Sequence, residues 1–317
     1  MPRPRYPSEV FGYPLFNVSA QAKEIRAKHW CPFVDKVCYK QSRLINYPFG
    51  VCTAHVNDDE VALCPRRFLD GHTVFTDIAQ HHFNTTSDIL VFSEIRLKDI
   101  GSFDFVMVKH KPMSAEIEDF VVIEFQTGQT TGTGQLVQGL KDFVAGESTV
   151  YKSYGFGLNL YDIWKRTFTQ ILTKGVIMET WKKKIYWVVQ ELVYKNFEAR
   201  YRFQRLSYKP QHSTVFALYD LKSGKDRFEM VASRKISATM DQLFDAFRNN
   251  PNIPSVDAFL AGLKQKIETE AQISLQLGRP SRTGAVDVKP PTASGKIRES
   301  SSGEKDAELF DDQSEER

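Results

Sequence analysis

Three apolar runs follow one another with no room for a helix between them: ILVFSEIRL at 89–97, SFDFVMVK at 102–109 and DFVVIEFQ at 119–126. Each has strand-like length, and the separators carry Asp, Gly, Pro and Ser, the residues of turns. Upstream, TVFTDIAQHHF places Phe75, Ile78 and Ala79 at helical spacing. Downstream, a helix is expected from about Asn159 to Lys174, with Leu160, Trp164, Phe168, Ile171 and Leu172 on one face and Gly175 as its stop. After the basic triplet Lys182, Lys183 and Lys184, the run IYWVVQELVY reads as a strand, being rich in β-branched and aromatic residues. Two more helices are expected: TMDQLFDAF, with Met240, Leu243 and Phe247 on a stripe, and SVDAFLAGLKQKIETE, capped by Ser255 behind Pro254.

Side chains two apart share a face of a strand, so Phe120, Val122, Glu124 and Gln126 point one way and Val121, Ile123 and Phe125 the other. Asp104, Val106 and Val108 likewise share a face, and an antiparallel pairing brings Asp104 beside Glu124. Two such carboxylates near a backbone carbonyl such as that of Phe125 make an oxygen-rich site for Mg²⁺, an ion able to lower the pKa of a bound water. The bland alternative is a pair of solvated residues at a sheet edge. The flanking Phe120 and Val122 favour a buried face, where a carboxylate needs a partner or a metal.

All four cysteines fall between Cys31 and Cys64, separated by six, thirteen and eleven residues at Cys38 and Cys52. No CxxC pair is present, so this is not the spacing of a zinc ribbon or finger. Pro or Gly stands beside three of them, in CPF, FGVC and LCPRR, as tight turns around an ion require. Four thiolates suit Zn or Fe, and such an ion would stabilise a segment that shows little regular periodicity beyond AQAKEIRAKHW. Read blandly, they are small buried apolar residues.

At 317 residues the chain is long for a single core, and two structured parts with appendages are expected. There is no apolar run of membrane-spanning length and no signal-peptide pattern, so a soluble, cytoplasmic protein with no membrane partner is expected. Net charge is only +3 but unevenly spread: Val176–Lys235 holds 13 Lys and Arg against 6 Asp and Glu, and Lys296–Arg317 holds 4 against 8. A basic stretch facing a polyanion, with a detached acidic tail, fits this asymmetry. From about Gly278 the composition collapses to Pro, Ser, Gly, Lys and Glu, too poor in apolar residues to order itself.

Other motifs stay bland. His81 and His82 are adjacent on a helix and point apart, so a shared metal is not expected. TGQTTGTG lacks the GK[ST] of a phosphate loop, although its small residues could approach a DNA backbone closely. Lys165 and Arg166 fall on the polar face of the Trp164 helix. Arg66 and Arg67 are better candidates for two-pronged reading of guanine.

The segments FGYP, CPF with its following Cys-x-Lys, GVC, LCPRRF, EIRLKD, GSFDFVMVK, DFVVIEFQTGQTTGTG and DIWKRTFTQILTKG together resemble the NotI-type restriction endonucleases, over roughly residues 11–194. The order of elements from Thr73 to Tyr194 is similar to the PD-(D/E)XK nuclease core. This resemblance implies an α/β fold, a mixed sheet flanked by helices, with a small four-cysteine metal-bound N-terminal domain. It implies that Asp104 and Glu124 hold catalytic Mg²⁺, that Gln126 stands where most of the superfamily has Lys, and that Cys31, Cys38, Cys52 and Cys64 hold one structural Fe or Zn ion. Glu94, ending the first strand, is an additional candidate carboxylate. Phe103 replaces the superfamily's Pro, and Gln126 replaces its Lys. A neutral amide can orient a water but cannot lower its pKa by charge, so activation would rest on the metal.

The expected organisation is a four-cysteine, DNA-recognition region at 1–70, a nuclease core at 71–210, a helical extension at 211–277 and a disordered tail at 278–317. The expected function is type II restriction, the Mg²⁺-dependent hydrolysis of both strands of double-stranded DNA at a GC-rich palindrome, by a homodimer paired with a cognate DNA methyltransferase. The alternatives are a nuclease-fold DNA-binding protein with a weakened centre, or a repair or mobile-element nuclease that cuts by structure.

Overall fold

The computed structural model describes residues 3–201, 206–250 and 252–269. The chain divides into two compact units, Met1–Asn252 and Ile253–Arg317. In chain order the first unit begins with β1 (Arg5–Val10), β2 (Tyr13–Pro14), α1 (Ala20–Ala27), β3 (Trp30–Cys31), β4 (Lys36–Val37), β5 (Val51–Val56) and β6 (Asp59–Ala62). A 3₁₀ segment (Pro65–His72), α2 (Thr73–Phe83), β7 (Ile89–Leu97), β8 (Gly101–His110), β9 (Ile117–Gln126), β10 (Thr130–Thr131), α3 (Thr133–Val144) and β11 (Gly157–Leu158) follow. Then come α4 (Leu160–Gln170), a π-helical turn (Ile171–Gly175), α5 (Val176–Thr180), β12 (Lys184–Gln190), α6 (Glu191–Tyr201), β13 (Thr214–Ser223), β14 (Phe228–Ala238) and α7 (Met240–Arg248).

The N-terminal residues are more regular than their composition suggests. They form an antiparallel sheet in the order β2-β1-β5-β6. Two tight turns set its register: Phe11 and Gly12 join β1 to β2, and Asn57 and Asp58 join β5 to β6, all four with positive φ. Paired left-handed residues are what a two-residue hairpin turn needs to match strand twist. Gly12 is required twice over, because a Cβ there would lie 2.3 Å from Pro32 Cγ. Tyr6, Val10, Val51, Val56 and Val61 of this sheet pack with Leu136, Val137 and Leu140 of α3, so the segment has a hydrophobic core of its own.

The larger sheet runs β14-β13-β12-β9-β8-β7. β7, β8 and β9 form the expected antiparallel meander; β12 lies parallel to both β9 and β13, and β14 returns antiparallel. The alternation read from DFVVIEFQ holds: Val122 packs with Trp164, Phe168, Trp187 and Phe197 on one face, while Val121, Ile123 and Phe125 pack with Phe68, Ile78 and Ala79 on the other. β12 is buried on both faces, which is why it reads as an unbroken apolar run. The result is a mixed α/β architecture with helices on both sides of the sheet.

Four expectations are corrected. IYWVVQELVY is a strand only to Gln190, after which α6 begins. Where a helical extension is expected from 211, residues 214–238 form the hairpin β13–β14, and only then does α7 follow. Gly175 does not stop its helix. It has helical angles (φ −64, ψ −42) and sits against Met240, whose Sδ would be 2.7 Å from an added Cβ. The helix therefore continues through the π turn into α5. The N-terminal segment, lastly, is held by apolar packing as well as by any ion.

The second unit contains α8 (Val256–Thr269), whose first turn is capped as expected by the Ser255 hydroxyl, accepting from the Ala258 N–H at 3.2 Å. The tail expected at 278–317 lies outside the described residues. Among the described residues no helix is long and apolar enough to cross a membrane.

Candidate active site

Phe105 stands opposite Ile123 and Val106 opposite Val122, so one step further along the two strands Asp104 meets Glu124. Each side chain is held by the other's strand. The Asp104 N–H donates to Glu124 Oε1 at 3.4 Å, and the Phe125 N–H donates to Asp104 Oδ2 at 2.9 Å. Glu124 is fully buried. Burial raises its pKa to about 7, the charge of Asp104 adds to the rise, and Lys174 opposes it. Asp104 is also raised by burial, against the Phe125 N–H and Lys174 and with a further push from Glu94. Two carboxyls this close resist ionising together, and a cation between them relieves that cost.

The cation present is Lys174. Its Nζ lies 2.8 Å from both Glu124 oxygens and 5.8 Å from the centre of the Phe103 ring, and its side chain is only 8% exposed. It comes from the π-helical turn, 50 residues beyond Glu124. The sequence reading overlooked it. The available signal was a charged residue on the helix face that carries Ile163, Thr167 and Ile171, three positions that are all buried.

Gln126 emerges beside Glu124 as alternation predicts, but its amide is engaged by the same helix. Its Oε1 is 2.8 Å from the Thr167 hydroxyl, and its Nε2 donates to Gln170 Oε1 at 2.8 Å. Glu94 stands across the sheet from Asp104, between the Ser93–Phe105 and Ile95–Phe103 pairs. It is exposed and has φ 54 within a strand. A non-glycine residue held there costs of order 1–3 kcal/mol, and such positions cluster at functional sites.

The four cysteine side chains line one small cavity together with Tyr39, Lys40 and Arg66. All four are free thiols, and Cys52 Sγ donates to the Gly50 carbonyl at 3.4 Å. Burial pushes the Cys31, Cys52 and Cys64 thiols up, Cys52 furthest, while Lys40 pulls Cys64 down. The donor chemistry suits a soft metal. Among the described residues, however, no group of three or more His, Cys, Asp or Glu side chains is arranged to hold an ion, and this applies to the carboxylates as well as to the thiols.

Arg67 is not placed to read DNA. It is fully buried, with Nε 2.9 Å from Glu9 Oε2, Nη1 donating to Asp70 at 3.0 Å and Nη2 donating to the Phe228 carbonyl. Arg66 remains partly exposed, stacked 3.8 Å over the Tyr39 ring. His81 and His82 diverge as expected: His81 Nδ1 is 2.9 Å from the Tyr186 hydroxyl, and His82 Nε2 is 2.9 Å from Asp119. Lys165 and Arg166 are solvated. The glycine-rich loop spends Gly128 on a close approach to β6, its N–H donating to the Ala62 carbonyl at 2.8 Å.

A mixed sheet with a buried carboxylate, a partly buried one beside it and an adjacent cation is consistent with a nuclease fold. Residues 9–231 match the family described as restriction endonuclease NotI, more than half of the chain, and the chain belongs to that family. It is accordingly a type II restriction enzyme, a site-specific deoxyribonuclease that binds DNA, and enzymes of this class typically use Mg²⁺. No curated protein matches the chain in a sequence comparison.

Proposed function

We propose that this enzyme hydrolyses both strands of duplex DNA at a GC-rich palindrome in a Mg²⁺-dependent reaction, acting as a cytoplasmic homodimer from a PD-(D/E)XK core. The observation that carries the reading is the mutual clamping of Asp104 and Glu124, two carboxyls fixed side by side by backbone N–H groups. Asp104 and Glu124 would hold Mg²⁺, with Glu94 as a further carboxylate from the neighbouring strand. Bound there, Mg²⁺ lowers the pKa of water and stabilises charge on a phosphoryl group. Asp104 and Glu124 would supply an oxygen pair held in place by backbone N–H groups, with Phe103 and Val122 of the apolar core behind it. Cutting two strands of a palindrome calls for two centres related by a twofold axis, which supports the homodimer. We also propose one structural Fe or Zn ion for Cys31, Cys38, Cys52 and Cys64, whose side chains line one space but would have to draw together to hold it. A cognate methyltransferase would protect the host's own sites.

Digestion of unmethylated phage DNA with Mg²⁺ or with EDTA tests this. Discrete bands with Mg²⁺ alone, whose mapped ends share one palindrome, are expected. Intact DNA, or a smear without preferred ends, contradicts the reading.

A further inference from the structure

The expected weakness of this centre is the amide at Gln126, where a charge would normally stand. The geometry shows that amide facing elsewhere: its oxygen and its NH₂ are each within 2.8 Å of a side chain of α4, Thr167 and Gln170. Thr167, Gln170 and Lys174 lie one helical turn apart on the face presented to the end of β9. Two of them fix Gln126, and the third delivers an ammonium group to Glu124. Burying a lysine is costly unless something requires it there. What meets it there is the Glu124 carboxylate; Phe103, Phe168 and Ile171 belong to the apolar core and have no use for a charge. The π turn that carries Lys174 is a rare form, frequent at functional sites.

We propose that Lys174 is the catalytic cation of this nuclease, supplied from the helix to replace the charge that strand β9 lacks, and that Gln126 is a positioning residue that locks the helix in register. This rests on the nuclease reading given above. In hydrolysis the oxygen of water bonds to phosphorus and the bond from phosphorus to one ester oxygen breaks. The water's proton leaves to solvent, and the departing oxygen takes a proton from solvent. Lys174 keeps its own protons throughout. Its four-carbon stem lets Nζ move from Glu124 to a phosphoryl oxygen, where it donates as negative charge accumulates. Lys174 Nζ reaches the same two Glu124 oxygens that a divalent cation would use, so the two would compete for them.

The test uses Lys174→Met, which keeps length without charge, and the double variant Gln126→Lys with Lys174→Met. Three measurements are made: single-turnover cleavage with Mg²⁺, duplex binding with Ca²⁺, and Mg²⁺ binding by calorimetry without DNA. Lys174→Met is expected to bind duplex normally, to cleave about 100- to 1,000-fold more slowly, the usual loss for one charge-stabilising group, and to bind Mg²⁺ more tightly than wild type. The double variant is expected to recover part of the rate, because the charge returns from the strand. Cleavage at the wild-type rate by Lys174→Met overturns the proposal. So does a loss that follows impaired folding and is not recovered in the double variant. If wild type itself cleaves nothing, the nuclease reading fails separately. Calorimetry then decides for Lys174: unchanged Mg²⁺ affinity in Lys174→Met removes it from the centre, and tighter binding keeps it there.

Discussion

Arg67 shows how one residue's surroundings decide its role. Its guanidinium meets Glu9 of β1, Asp70 and the Phe228 carbonyl of β14, and it lies 5.0 Å from the Phe33 ring centre. Breaking a buried pair strands the remaining charge, so Arg67→Ala should lower stability by about 3–5 kcal/mol. In urea unfolding the Lys substitution should rescue little, since an ammonium cannot reproduce the fork; a neutral result for Arg67→Ala would deny the clamp. The sequence marks this residue as charged but not as buried, because apart from the local Asp70 its partners lie 58 residues before it and 161 after. Asp104 and Glu124 were legible because alternation gives each its face and an antiparallel pairing of neighbouring strands brings them together; Lys174 was not, its partner being 50 residues away on another element. His81 carries a pH prediction. Burial lowers its pKa to about 4, with Lys235 adding to the fall and Asp77 opposing it. His82 is also lowered by burial, against Asp119. The unfolded chain protonates His81 near 6.5 and the folded chain only near 4, so its contribution is complete above about 6.5 and is lost as pH falls toward 4. Glu124 titrates in the same window with the opposite sign, but equally in wild type and variant. His81→Asn should therefore show a smaller drop in urea midpoint between pH 7 and pH 5 than wild type; equal drops would refute the assignment.

At the scale of elements, the helix from Leu160 to Thr180 is the part that the site depends on. Its apolar stripe was readable from Trp164, Phe168 and Ile171, but its continuation past Gly175 was not, because glycine after a lysine is an ordinary stop signal. What overrides the signal is packing: Met240 Sδ and Thr214 Oγ1 approach within 2.7 and 3.4 Å of a Cβ at that position. Gly175→Val should cost about 1–3 kcal/mol through overpacking. Paired with Met240→Ala, it should regain part of the loss, as read from thermal unfolding; additive losses would show that the contact is not the cause. The hairpin β13–β14 was hidden for a different reason. TVFALY is buried on both faces, which erases alternation, and the charged connection between the strands, with Lys225, Asp226 and Arg227, reads as surface. By contrast α2 was readable from its spacing: Ile78 and Ala79 are buried as expected, with Val74 beside them where Phe75 was expected.

For the molecule as a whole, α2, the three strands β7 to β9, α4 and β12 were legible in order because each is local, but α3 between them was not called; sheet order, the parallel placing of β12 and the regular N-terminal sheet depend on contacts between distant segments. The cysteines gave their confinement to one region but not their spacing in space. Elemental analysis of purified protein should find about one Fe or Zn per chain in a soft-donor site of this type, absent from Cys52→Ser. Metal-free protein that is fully folded would contradict a structural ion. The central claim is that Asp104 and Glu124 form the hydrolytic centre of a sequence-specific nuclease. The most direct measurement is digestion of unmethylated phage DNA with Mg²⁺ by wild type and by Glu124→Ala, each confirmed to be folded, with products resolved on a gel. Discrete bands from wild type and intact DNA from the variant are the result predicted; identical digestion by both, or none by well-folded, metal-loaded wild type, would contradict it.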